Sequence, residues 1–144
     1  MTPIPFRLRP EQRQAMLEHV LSCLPEEACG LVGGLAGDVR QVIPVVNILH
    51  SPVRYRMDPR GQVEAMRQIE EAGLDLVAIY HSHPQGPEGP SATDLAEAAY
   101  PEALHLIWFP DVGGWAVGAF ELDGRDARAV PLIVEGETST TVRG

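Results

Sequence analysis

Residues 74–80 read LDLVAIY, an apolar run interrupted only by Asp75 and closed by His81. So short a run, rich in branched and aromatic side chains, suits a strand covered on both faces, and such strands lie in the middle of sheets flanked by helices. The neighbouring segments supply those helices. Before the run, Asp58-Pro59 offers an N-cap and a first-turn proline to a helix that carries Val63, Met66 and Ile69 and stops at Gly73. After it, the loop HPQGPEGP leads through Ser91 into the alanine-rich helix SATDLAEAAY.

The remaining segments extend the same α/β pattern. Pro10 opens a helix over 10–24 in which Met16, Leu17, Val20, Leu21 and Leu24 recur at helical spacing, with Glu11 in the first turn and Pro25 ending the run. Ile4, Phe6 and Leu8 alternate around Pro5 and are expected to form a short edge strand. Strands are expected at 28–35 and 39–46, forming a hairpin across Gly37-Asp38, and at 104–109, 115–122 and 127–134. The closing residues are polar, so 1–135 is read as one domain and 136–144 as a flexible tail.

Composition narrows the chemistry. All 11 basic residues are arginine, so no lysine is present to bind a phosphate in a P-loop, form a Schiff base or serve a Ser-Lys pair. A net charge of -9 argues against nucleic acid as a default partner. Two cysteines are too few for a disulfide scaffold and suit a reducing compartment. The start MTPIPFRLRP has no apolar core of a signal peptide, and no stretch approaches the roughly 18 apolar residues of a membrane span. The expected location is the cytoplasm, with no membrane partner.

His81-Ser82-His83 carries the most chemical information. Side chains two apart on an extended segment project from one face, so both imidazoles can reach one metal ion. Asp94, in the first turn of the following helix, is placed to add a carboxylate. Two histidines, one carboxylate and a water compose the open tetrahedral site of a catalytic zinc. Ser91-Ala92-Thr93-Asp94 is equally a capping box, a purely structural device. Glu26 and Glu27, just before an apolar strand, offer a base for the metal's water, although paired glutamates at such a turn are commonly solvated surface.

Glu27-Ala28-Cys29-Gly30, followed by His81-Ser82-His83-Pro84, then Ser91 and Asp94, resembles the signature of the JAMM (MPN+) metallopeptidases: a glutamate in an E-x-C-G type segment, then H-[ST]-H-P-x6-S-x2-D. The loop HSHPQGPEGPSATD is most similar to the small stand-alone prokaryotic branch of that family. The resemblance implies a three-layer αβα fold with a curved mixed sheet, of the cytidine-deaminase-like JAMM type. It implies one Zn2+ per chain held by His81, His83 and Asp94, with Glu27 as general acid/base and Ser91 as donor to the oxyanion. It also implies hydrolysis of a peptide or isopeptide bond at the C-terminal tail of a ubiquitin-like, sulfur-carrier-type protein ending in Gly-Gly. A non-catalytic scaffold of the same fold is the alternative, and a non-haem iron oxygenase would also use two histidines and a carboxylate.

Other residues read as structural. Cys29 lies in an apolar strand and is expected to pack. His19, His50 and His105 lack a ligand partner at a readable spacing. Trp108 and Trp115 either pack or line a substrate groove.

Overall fold

The computed structural model describes residues 5–135; Ile4 and the expected tail at 136–144 lie outside them. The strands are β1 (Phe6–Leu8), β2 (Cys29–Leu35), β3 (Asp38–Val45), β4 (Asp75–Ser82), β5 (Leu104–Asp111), β6 (Gly114–Leu122), β7 (Ala127–Val130) and β8 (Leu132–Val134). The helices are α1 (Pro10–Cys23), α2 (Pro59–Glu71) and α3 (Ala92–Glu97). One mixed sheet has the order β7-β6-β5-β4-β2-β3-β1-β8, and the apolar strand β4 stands near its centre. It runs parallel to β5 and antiparallel to β2.

The expected strand at 127–134 is divided at Pro131, and its halves pair at opposite ends of the sheet. β7 lies on β6, while β8 lies on β1. Proline has no N–H to continue a ladder, and its carbonyl instead accepts the Phe6 N–H at 3.0 Å. Because a single residue joins strands at the two margins, the sheet must curl until those margins approach one another.

That closure also corrects the reading of β1 as an edge strand. It lies between β3 and β8, parallel to both. Pro5 precedes the paired residues and removes no ladder donor, and Phe6 and Leu8 are buried in the core.

Helices cover both faces of the sheet. Inside the curl, Met16 and Val20 of α1 join Leu8, Val32, Tyr80, Leu106, Trp108 and Leu132. Leu21 and Leu24 of the expected apolar stripe are exposed, so α1 buries only a narrow face. On the outer face, Ala65 and Ile69 of α2 pack on Cys29, Leu31, Val45 and Ile79, while Val63 points to solvent. Leu95 of α3 packs against Ile107, Phe120 and Leu122. The expected helix over SATDLAEAAY is cut to six residues. Ala98 is extended and Tyr100, before Pro101, takes a φ of 58°, so neither backbone continues the helix, which would in any case be disfavoured at the residue preceding a proline.

Gly30 is required by close approach. A Cβ there would run into the Tyr80 ring and the Ile43 carbonyl, so the glycine of the E-x-C-G segment lets β2 lie flat between its neighbours.

Candidate metal centre

The antiparallel β2–β4 ladder pairs Cys29 with His81. Continued by the hydrogen bond from Ser82 N–H to the Ala28 carbonyl at 3.1 Å, this register sets Glu27 beside His83 on the outer face. Glu27 is 3% exposed, His81 0% and His83 3%. Their ligand atoms all lie within 4.8 Å of one another.

Asp94 arrives from α3. Its Oδ1 is 3.2 Å from Nε2 of His81 and its Oδ2 3.0 Å from Nε2 of His83, and the two imidazole nitrogens are 3.0 Å apart. The capping reading of this segment is realised as well. The Asp94 N–H donates to Ser91 Oγ at 3.1 Å and the Ser91 N–H donates to Asp94 Oδ2 at 2.8 Å. The two readings therefore coincide: the capping box aims the carboxylate at the histidines.

The electrostatics are those of a desolvated site. Burial pushes the Glu27 carboxyl up to about 8, against the lowering influence of His83. Burial lowers His81 despite its bond to Asp94. For His83 burial acts in the same sense, but the Asp94 hydrogen bond and the Pro87 carbonyl outweigh it and raise the pKa. Burial works against charge on Asp94 too, yet hydrogen bonds from both imidazoles hold it well below the usual carboxylate range.

This donor set suits zinc. Metal–ligand bonds of 2.0–2.2 Å in a tetrahedron place neighbouring donors about 3.3–3.6 Å apart, a few tenths of an ångström beyond the 3.0–3.2 Å separations among His81, His83 and Asp94. His83 Nδ1 lies 2.9 Å from the Pro87 carbonyl, and donation there leaves the Nε2 lone pair for a metal.

Several residues that the sequence did not single out hold the site. The Ser82 hydroxyl accepts the Ala28 N–H at 2.8 Å. Asn47 Nδ2 donates to the Glu27 carbonyl at 3.0 Å, and the Glu27 N–H donates to the Ser51 carbonyl at 2.8 Å. Tyr55 stacks on the His81 ring at 4.6 Å. Only Ser82 was signalled, by its place between the two histidines. Asn47 and Tyr55 lie in the irregular stretch before α2, where spacing carries no register.

Cys29, His19, His50 and both tryptophans take structural places, whereas His105 is buried with an unpartnered Nδ1. Cys29 is fully buried, its thiol donates to the Val45 carbonyl at 3.4 Å, and burial raises its pKa to about 12, which leaves it inert as a nucleophile. His19 meets the Tyr80 hydroxyl at 2.7 Å, and His50 pairs with Glu26 at 3.0 Å on the surface. Trp108 is buried beneath α1 and Trp115 packs against the same cluster, on the face away from the histidines.

With this geometry in place, comparison with known proteins is decisive. The family described as prokaryotic homologs of the JAB domain matches residues 10–130. The chain belongs to that family. It is 36% identical to the desampylase of Haloferax volcanii over 143 residues, covering 94% of this chain and 100% of the relative. It is 36% identical to the CysO-cysteine peptidase of Mycobacterium tuberculosis over 102 residues, covering 69% of this chain and 70% of that one. A solution structure of a Desulfitobacterium hafniense protein superposes with a TM-score of 0.81 at 32% identity, covering 92% of this chain and 94% of that one.

Proposed function

We propose that this JAB-domain protein is a zinc metallopeptidase that hydrolyses the peptide or isopeptide bond following the C-terminal tail of a ubiquitin-like, sulfur-carrier-type protein. The observation that carries the reading is the convergence of Glu27, His81, His83 and Asp94 in one buried cluster. Relatives named desampylase and CysO-cysteine peptidase support a protein-tail substrate. Among the described residues no helix is long and apolar enough to cross a membrane, and both cysteines are free, which supports action in the cytoplasm.

His81, His83 and Asp94 would hold one zinc ion. When bound, zinc supplies Lewis acidity, bringing the pKa of its water toward roughly 7 and polarising the scissile carbonyl. Glu27 accepts a proton from the attacking water and delivers it to the leaving amine; burial keeps its carboxyl protonated in the metal-free site, and the charge of a bound cation would favour the carboxylate that the base step needs. Ser91 Oγ already accepts the Asp94 N–H, which leaves its own O–H to donate to the developing oxyanion.

The test is incubation of the zinc-loaded protein with ubiquitin-like carriers bearing an extra amino acid or short extension after Gly-Gly, followed by intact mass. The expected product ends at Gly-Gly. Intact carriers alongside hydrolysis of unrelated short peptides would remove the carrier from the reading, and no hydrolysis of either would favour a scaffold.

A further inference from the structure

The two imidazoles that meet at Asp94 are not equally supported. His83 has the Pro87 carbonyl for its second nitrogen, but Nδ1 of His81 is buried without a hydrogen-bond partner. A histidine that ligates a metal through Nε2 carries its proton on Nδ1, and that proton almost always goes to a carboxylate, a carbonyl or water. A buried N–H with no acceptor is costly.

A second imidazole has the same deficit. Nδ1 of His105 is buried without a partner, on a residue 4% exposed. The parallel β4–β5 ladder pairs Ile79 with His105 and His81 with Ile107. His105 therefore stands one diagonal step from His81 on the same face of the sheet. It borders a cavity of about 210 Å3 together with Tyr55, Ile79 and Asp94. A neutral imidazole carries its proton on one ring nitrogen and leaves the other free to accept.

The other buried side-chain atoms without partners among the described residues are Gln41 Oε1 and Trp108 Nε1. Trp108 Nε1 is a donor in the core under α1, and Gln41 Oε1 lies near Gly33, on the part of β2 remote from His81. Of the four unpartnered atoms, only those of His81 and His105 lie on adjacent strands of the face that carries the cluster, and in this structure the two are not bonded to each other.

We propose that His105 is the acceptor for His81: once Nε2 of His81 is committed to a metal, its Nδ1–H donates to Nδ1 of His105, fixing the tautomer and orientation of the ligand ring. His105 carries its own proton on Nε2 and touches neither metal nor substrate, so it is a positioning residue. This inference rests on the metal reading of the site.

The test titrates metal-free wild type, His105→Leu and His105→Asn with zinc in competition with a chelator of known affinity. Asparagine places an amide oxygen close to where Nδ1 of histidine stands. The leucine variant is expected to bind zinc about 10–100-fold more weakly, and the asparagine variant to recover most of that loss. Melting of the metal-free leucine variant should come no lower than wild type, because an unpartnered polar nitrogen has left the core. Unchanged zinc affinity in His105→Leu, or equal loss in both variants, would overturn the proposal.

Should the leucine variant fail to fold, the wild type still decides. Nitrogen-15 spectra of the zinc-loaded protein should show a slowly exchanging His81 Nδ1 proton coupled across a hydrogen bond to a His105 nitrogen, and a rapidly exchanging proton there would refute it. Wild type that binds no zinc would remove the metal reading itself, and this inference with it.

Discussion

The Ser82 hydroxyl accepts the Ala28 N–H at 2.8 Å inside the core, across 54 residues of sequence, and the Ser82 N–H returns a bond to the Ala28 carbonyl at 3.1 Å. This reciprocal pair locks the strand that carries both histidines to the segment that carries Glu27. The residue between the histidines is therefore as much a part of the site as they are, although it faces away from them. Ser82→Ala should leave the buried Ala28 N–H unpaired and cost about 1–3 kcal/mol of stability. Urea unfolding measures it, with Ser82→Thr, which keeps the hydroxyl, expected to lose less. Equal stability of the alanine variant and wild type would show that the bond is dispensable.

Glu27 makes the metal-free fold sensitive to pH. Burial lifts its carboxyl from an ordinary 4.5 to about 8, so the folded state holds a proton that the unfolded chain releases. Its contribution is fully present below about pH 4.5 and is lost as pH rises toward 8. The difference in unfolding free energy between metal-free wild type and Glu27→Gln should therefore fall steadily across that window. A flat difference would mean that Glu27 does not hold its proton in the fold.

Glu26 and Glu27 are adjacent but have different surroundings. Glu26 is paired with His50 at 3.0 Å on the surface, whereas Glu27 is buried with the histidines. Glu27→Gln is expected to keep zinc and the fold while losing roughly 10²–10⁴-fold in rate, and Glu26→Gln to be nearly silent. Steady-state kinetics on a Gly-Gly-extended carrier separates them. Loss of zinc from Glu27→Gln would make that residue a ligand.

Ser91 has two separable roles. Ser91→Ala removes both the cap on α3 and the hydroxyl donor, whereas Ser91→Asp keeps a capping acceptor without the donor. Both variants are expected to lose activity, but thermal melting of the aspartate variant should stay closer to wild type than that of the alanine variant. Full activity in Ser91→Asp would assign the serine to capping alone.

Much of this architecture was legible in the sequence because its signals are local. The apolar run ending at His81 specifies a central strand, and the fixed spacing of His81, His83, Ser91 and Asp94 encodes an extended segment followed by a helix N-terminus. What was not legible depends on contacts between distant segments. The division of 127–134 at Pro131 follows from β1 and β6 each capturing half of it, and β1 is interior only because β8 covers it. Tyr55 and Asn47 reach the site from an irregular stretch whose path no periodicity sets. His105 has no sequence neighbour of chemical interest and gains one only through the β4–β5 register.

In the proposed mechanism His81, His83 and Asp94 hold one catalytic zinc with Glu27 as its base. Its most direct test is a zinc titration of the metal-free protein in which bound metal and the rate of carrier cleavage are followed together. Both should saturate at one zinc per chain. His81→Ala/His83→Ala should show neither binding nor cleavage, and Glu27→Gln should bind fully while cleaving roughly 10²–10⁴-fold more slowly. Cleavage that persists without metal, or full zinc occupancy in His81→Ala/His83→Ala, would contradict it.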